Sequence, residues 1–429
     1  MTQKEQPTLQ AVRGTQDIMA PLVRDFQDLE TIARKRAVQW GFEEIRTPTF
    51  EEVAVFSRSV GETSDIVEKE MYSFSDKGER TLALRPEGTA GVVRAYLEHN
   101  LHKTQKKAML FYIANMFRAE RPQAGRYREF EQIGFEIIGD PTPYAEVELV
   151  TLAEAIFSDI GLQPPVNPLL IVNSLGCPDC RTPYREDLRS YLKQNSNKLC
   201  EDCVRRLEKN PLRALDCKVC SGALTPGAPT FTKCANCQEH DRSFIDLLTS
   251  VGITTIQDPA IVRGLDYYTR SVFEFKAKGL GSQSVICGGG RYDGLVQLFG
   301  GPAIPAVGLA IGVNRTIMAA QALGAKPAPT GLDSAKVFLA LASQNSKAAT
   351  HALSLAQALR RDGKTVVTSI WTDSMKSQLR QADKSGARWC AVIGDEELVN
   401  RNYSIKDFSN RQEHKVDIDS CLKLMTAAH

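Results

Sequence analysis

Residues 109–117 and 130–138 are apolar runs of strand length, and between them lie Arg118, Glu120, Arg121, Pro122, Gly125, Arg126 and Arg128. A hairpin with so long and basic an ordered connection is expensive in chain entropy and is usually functional. Further strands read at 272–275, 284–287 and 306–310 extend an antiparallel sheet, and a helix over 312–323 closes the region. Upstream, Pro21 opens a helical pattern that sets Leu22, Phe26, Leu29, Ile32 and Ala33 on one face and ends near Trp40-Gly41. Residues 45–50 read as a short strand interrupted by Pro48. The expected fold class is α+β, a sheet-based domain over residues 1–325 with an insertion at about 170–245.

A chain of 429 residues exceeds what one core usually serves. The Pro/Gly-rich stretch 324–333 is the best boundary. Beyond it, strands at 337–341, 365–370 and 389–393 alternate with helices at 348–361 and 374–385. That order makes residues 334–429 a small α/β domain with parallel strands. This domain carries 14 basic and 10 acidic residues, +4, whereas the whole chain is only +2. Nucleic-acid binding therefore depends on where Arg and Lys are placed, not on bulk charge. Residues 1–10 are polar, without the apolar core of a signal peptide, and no run approaches a membrane span. The expectation is a soluble, cytoplasmic protein.

Eight of the eleven cysteines form four Cys-x-x-Cys pairs: Cys177/Cys180, Cys200/Cys203, Cys217/Cys220 and Cys234/Cys237. In a cytosolic chain this spacing points to metal before disulfides, and four thiolates leave zinc no open position for catalysis. The expectation is structural Zn²⁺, with sequential, interleaved and nested pairings all open. Residues 177–240 carry 11 basic and 8 acidic residues. Two zinc tetrathiolates would turn that +3 into −1, so any grip on nucleic acid would rest on local groups such as Arg205, Arg206 and Lys209.

The densest chemistry lies in Arg263-Gly264-Leu265-Asp266-Tyr267-Tyr268, a guanidinium, a carboxylate and two phenols around a glycine. Alone, it could be a surface ion pair beside half-buried tyrosines. It is accompanied by Arg85-Pro86-Glu87-Gly88-Thr89, Phe117-Arg118-Ala119-Glu120-Arg121-Pro122, Cys287-Gly288-Gly289-Gly290-Arg291-Tyr292-Asp293 and the residues up to Arg315. In order and spacing these motifs resemble those of the histidyl-tRNA synthetases, class II enzymes that join histidine to its tRNA. The resemblance runs from about Arg13 to the C-terminus.

The resemblance implies a class II catalytic domain over 1–325, an anticodon-binding domain over 334–429 and a homodimer built on the first helix. It implies ATP as substrate with Mg²⁺ on its phosphates, held partly by carboxylates such as Glu120. Arg118 and Arg263 would be the catalytic cations on the α-phosphate, with Arg118 also reaching the histidine carboxylate. Arg126 and Arg315 would reach the β- and γ-phosphates, and Phe130 would stack on adenine opposite Arg315. Glu87, Gly88, Thr89 and Gln132 match the positions around the histidine α-amino group. Glu136 and Tyr268, with Tyr267 beside them, match those that recognise its ring. Arg121, Gln123 and Arg128 would contact the acceptor end of tRNA(His). The chemistry agrees: guanidinium forks suit phosphate oxygens, and a buried carboxylate with a phenol suits an imidazole's donor and acceptor.

Asn314 stands where the family usually carries glutamate, and Ala310 where it often carries glycine. Other readings are a synthetase-like paralogue that regulates histidine biosynthesis, a related synthetase for another amino acid, and a zinc-ribbon nucleic-acid binder. The regulatory paralogue lacks a C-terminal domain, the Tyr267-Tyr268 pair argues against another amino acid, and a zinc ribbon explains only the cysteine segment.

Overall fold

The computed structural model describes residues 9–60, 66–163, 168–208, 210–215, 217, 219–224, 227–259, 261, 265, 267–325, 336–343, 345–369, 374–400, 402–417 and 420. Arg263, Gly264, Asp266, Lys209 and most of the 324–333 linker lie outside them.

The basic hairpin is the centre of the molecule. Ala108–Phe117 and Glu129–Ile138 pair antiparallel without interruption, from Ala108 opposite Ile138 to Phe117 opposite Glu129. Glu129–Ile138 then pairs with Ala306–Gly312, followed in order by Val285–Arg291, Thr269–Lys276 and Leu169–Ser174, all antiparallel. Thr255–Gln257 and Glu43–Glu44 run parallel on the two edges and complete eight strands.

Alternation along Glu129–Ile138 divides the sheet by face. Ile133, Phe135 and Ile137 point into a core closed by helices Leu22–Gln39, Tyr144–Asp159, Ala235–Ser250 and Val313–Ala322. Gln132, Gly134 and Glu136 occupy the other face, where Tyr112, Tyr267, Tyr268 and Tyr292 pack with helix Thr89–Glu98. A three-stranded sheet, Phe50–Glu52, Thr81–Leu84 and Ser73–Ser75, flanks this second layer.

Two sequence expectations need correction. Residues 45–50 are not one strand: short strands at Glu43–Glu44 and Phe50–Glu52 flank an extended break that contains Pro48, which has no amide to donate. The insertion begins after Ser174, not at 170, because Leu169–Ser174 is an integral strand paired with Thr269–Lys276.

In the C-terminal unit Thr365–Ser369, Lys336–Leu341 and Trp389–Ile393 are parallel, and the hairpin Asn402–Asp407 with Gln412–Asp417 adds two antiparallel strands. Helix Ser346–Arg361 places Leu353, Leu355, Ala356 and Leu359 in a buried apolar cluster that the two domains share. The junction is also polar. Arg36 forms a two-pronged pair with Asp159 at 2.7 Å and donates to Arg360 O at 2.8 Å. Arg360 lies 3.9 Å over the Trp40 ring and 3.1 Å from Glu148, which also accepts from Thr368 Oγ1 at 2.7 Å. The buried polar face of Leu22–Gln39 thus holds the C-terminal domain, a role its apolar periodicity did not reveal.

Candidate active site

The second face of the sheet carries two adjacent regions, a cleft lined by arginines and a buried cluster of tyrosines and carboxylates. The cleft, of about 330 Å³, is bordered by Arg118, Glu120, Arg126, Phe130, Gln132 and Arg315. It lies where the hairpin meets strand Val285–Arg291 and the start of helix Val313–Ala322.

Each cation in the cleft is held in place. The Arg118 guanidinium sits 5.2 Å over the Phe130 ring, and its Nε donates to Pro86 O at 2.9 Å. Arg126 pairs with Glu120 and, at 3.2 Å, with Glu70. Arg315 donates to Gly125 O at 2.7 Å, Gln283 Oε1 at 2.9 Å and Val285 O at 3.2 Å. Asn314 Oδ1 accepts the Glu131 amide at 3.1 Å, tying helix Val313–Ala322 to the hairpin. Asparagine therefore does a neutral anchoring job at the position where the sequence departs from the family.

At the hairpin tip, the backbones of Gln123 and Arg126 bond each other in both directions, at 3.1 and 2.8 Å, and the side chains of Arg121 and Gln123 are exposed. Arg128 is turned inward, donating to Glu120 O and Arg13 O at 3.3 and 3.2 Å.

The pocket behind the cleft holds two buried carboxylates. Glu87 accepts the amides of Thr89 and Ala90 at 2.7 and 2.9 Å, at the N-terminal end of helix Thr89–Glu98, beside Gly88. Burial raises its pKa, while the two amides and nearby Arg118 lower it in part. Glu136 accepts from Thr89 Oγ1 at 2.7 Å and from the Tyr292 hydroxyl. Burial pushes it up to about 8, against the pull of those two hydrogen bonds. The Tyr267 ring lies 4.8 Å from that of Tyr268, tilted to it, and edge-on to Tyr292 at 5.6 Å.

Space in this pocket depends on glycine. A Cβ on Gly134 would lie 2.0 Å from the Tyr112 ring, and one on Gly308 1.7 Å from Glu136 Oε2. Tyr112 and Tyr292 are pocket residues that sequence reading missed. The signal for Tyr112 was a tyrosine on an apolar strand with Gly134 opposite in the ladder.

A buried ion network supports the pocket. Glu146 receives Arg291, His240 at 2.6 Å and Ser271 at 2.6 Å, and Arg291 also donates to Asp140 O and Thr142 O. The Arg291 guanidinium holds Glu146 well below the usual carboxylate range. Arg291 is thus fixed, and with it the adjacent Tyr292.

The cysteines form two nested groups, Cys177/Cys180/Cys234/Cys237 outside and Cys200/Cys203/Cys217/Cys220 inside. Sulfur separations are 3.6, 4.0 and 3.8 Å in the outer group, and 3.7, 4.0 and 3.4 Å in the inner one. A tetrahedron with zinc–sulfur bonds of about 2.3 Å has edges of about 3.8 Å, so both groups fit zinc. Amides donate to the sulfurs as they do around thiolates: Cys177 N to Cys237, Cys234 N to Cys180, and Val219 N to Cys217.

The structure therefore brings together Glu87, Gly88, Thr89, Gln132, Glu136, Tyr267 and Tyr268 around the pocket, with Arg118, Glu120, Arg126, Phe130 and Arg315 at the cleft. A family model described as Histidyl-tRNA synthetase matches residues 14–316, and one described as Anticodon binding domain matches 336–427. A histidine–tRNA ligase of Desulfitobacterium hafniense is 43% identical over 394 residues, 91% of this chain and 91% of that protein. One from Elusimicrobium minutum is 43% identical over 411 residues, 96% and 97% of the two chains. The crystal structure of apo S. aureus histidyl-tRNA synthetase superimposes with a TM-score of 0.61 at 31% identity, covering 97% of this chain and all of that one.

Proposed function

Since the chain belongs to the histidyl-tRNA synthetase family, we propose that it ligates L-histidine to tRNA(His) in two steps through a histidyl-adenylate. The observation that carries this is an arginine-lined cleft beside two buried carboxylates, with Arg118 of the cleft close enough to Glu87 to lower its pKa in part. Phosphates fit the first. An ammonium and an imidazole N–H fit the second.

In the first step a histidine carboxylate oxygen attacks the α-phosphorus of ATP, the bond to the bridging oxygen breaks, and diphosphate leaves. Negative charge builds on the α-phosphate, so fixed cations lower the barrier most. Arg118, held over Phe130 and by Pro86 O, can bridge the substrate carboxylate and that phosphate. Arg263 would complete the charge; its placement lies outside the described residues. Arg126 and Arg315 would take the outer phosphates, and Phe130 the adenine. Mg²⁺, when bound, neutralises phosphate charge, and Glu120 and Glu274 line the cleft where they could hold it.

Glu87 would receive the α-amino group with Thr89 and Gln132, and Glu136 with Tyr268 would read the ring. A site built to satisfy those groups rejects side chains that leave them unpaired, the basis of high discrimination. In the second step a terminal ribose hydroxyl of tRNA attacks the activated carbonyl and AMP leaves. Exposed Arg121 and Gln123 at the hairpin tip would meet the acceptor end, while Arg128, turned inward, would brace the loop, and the domain over 334–429 would meet the anticodon. The reading includes a cytoplasmic homodimer and two structural Zn²⁺. Among the described residues no helix is long and apolar enough to cross a membrane.

The test is charging of tRNA(His) with labelled histidine by the purified chain. ATP-dependent charging supports the reading. Binding of tRNA without charging would leave a regulatory, non-catalytic protein.

A further inference from the structure

The two cysteine groups are unequal in what they touch. The segment that leads into the outer group continues the sheet: Leu175 N bonds Arg270 O at 2.7 Å, and Arg270 N bonds Gly176 O at 2.9 Å. Arg270 is two residues from Tyr268. Next to Cys180, Arg181 donates to the Tyr268 carbonyl. Three residues past Cys237, His240 meets Glu146 at 2.6 Å, and Glu146 fixes Arg291 and thereby Tyr292, the donor to Glu136. Both chain segments of the outer group therefore run directly into the wall of the tyrosine pocket.

The inner group is remote from that wall. Its sulfurs pack with Leu188, Leu192, Ala214 and Leu224 in a small core of its own. Among the described residues it meets the catalytic domain through exposed ion pairs, Asp202 with Lys69 at 3.1 Å and Arg205 with Glu68 at 3.7 Å.

We propose that the outer four-cysteine site is a positioning site for the amino-acid pocket, whereas the inner site stabilises the insertion and has no part in positioning that pocket. This rests on the synthetase reading above. Zinc in the outer site fixes the ends of two segments, 174–181 and 234–240, whose other contacts hold the Tyr268 carbonyl and the Glu146 network. Cys180 and Arg181 act through Tyr268 and do not touch substrate. Partners that orient metal ligands cost about ten- to a hundredfold in metal affinity or activity when removed, and a loss of that order is expected for groups that orient Tyr268.

The experiment compares the full chain with Cys180→Ser, Cys203→Ser and Arg181→Ala. Zinc per chain is measured by elemental analysis, histidine affinity by calorimetry without ATP, and KM values by pyrophosphate exchange. Wild type should hold two zinc ions, each cysteine variant one, and Arg181→Ala two. Cys180→Ser should weaken histidine at least about tenfold while KM for ATP moves little; Cys203→Ser should affect histidine far less. Arg181→Ala should reproduce a several-fold loss with full metal and unchanged thermal stability, which separates positioning from failure to fold. Equal histidine losses in the two cysteine variants, or no loss in Arg181→Ala, would overturn the proposal. A wild-type chain that binds two zinc ions and histidine but exchanges no pyrophosphate would sink the synthetase reading instead.

Discussion

Thr89 donates its hydroxyl to Glu136 at 2.7 Å, across the space between a helix N-terminus and the central strand of the sheet. The bond links the two ends of the amino-acid pocket, because Thr89 also donates its amide to Glu87. One carboxylate faces the proposed ammonium site and the other the ring site, and neither has solvent to satisfy it. Histidine supplies donors to both.

Glu136 holds a proton in the ligand-free protein at neutral pH, and a bound imidazole favours its ionised form; glutamine in its place keeps the shape but cannot ionise. A lost charge-assisted hydrogen bond costs about 1.5–3 kcal/mol, so KM for histidine should rise about ten- to a hundredfold. KM for ATP should change little. Equal rises in both constants would place Glu136 outside amino-acid recognition.

The same carboxyl gives a pH dependence. Its folded pKa, about 8, lies above the ordinary 4.5. The folded state therefore holds a proton that the unfolded chain releases above 4.5. Stability from this group is complete below about 4.5 and is lost as pH rises toward 8. Glu131, raised to about 7, and Asp140, raised to about 6, act in the same direction. The Tm of the ligand-free protein should fall between pH 5 and 8, and Glu136→Gln should make that fall shallower. An identical slope in the variant would contradict the burial of this carboxyl.

Gly134→Ala puts a methyl group into the Tyr112 ring. Overpacking of this kind costs about 1–3 kcal/mol. Made in a Tyr112→Ala background, the same change should cost much less, since the obstructing ring is gone. Chemical denaturation of the four proteins measures the coupling directly. Additive losses would show that the glycine serves another purpose.

Glu148→Gln removes a charge from the domain junction and leaves the Arg360 guanidinium buried over Trp40. Breaking one partner of a buried pair costs about 3–5 kcal/mol. Here it should loosen the C-terminal domain. Charging of tRNA should lose roughly tenfold in kcat/KM while pyrophosphate exchange, which needs no tRNA, is retained. Loss of both in equal measure would mean that the junction supports the active site itself.

Much of this was legible in the sequence where periodicity and charge agree. Each strand of the hairpin begins one residue before its apolar run, and the C-terminal alternation of strands and helices recurs with bounds within a few residues. Pro48 misled, because its lost amide divides a run of strand-like residues. Leu169–Ser174 straddles the expected start of the insertion at about 170, because a short strand that closes a sheet carries no boundary signal of its own. The nested cysteine pairing was not legible at all: spacing fixes each Cys-x-x-Cys knuckle, but only the fold decides which knuckles meet. Arg36 and Glu146 were hidden for a similar reason, since buried charges on helices read as solvated faces until their partners are known. Asn314, which departs from the family's usual glutamate, fastens the hairpin through its amide oxygen, a role only the fold reveals.

The central claim is that the pocket selects histidine for activation on the adjoining arginines. Exchange of labelled pyrophosphate into ATP, run with each of the twenty amino acids in turn, tests it most directly. The account predicts exchange with histidine alone. Exchange with a different amino acid, or with none of them, would contradict it.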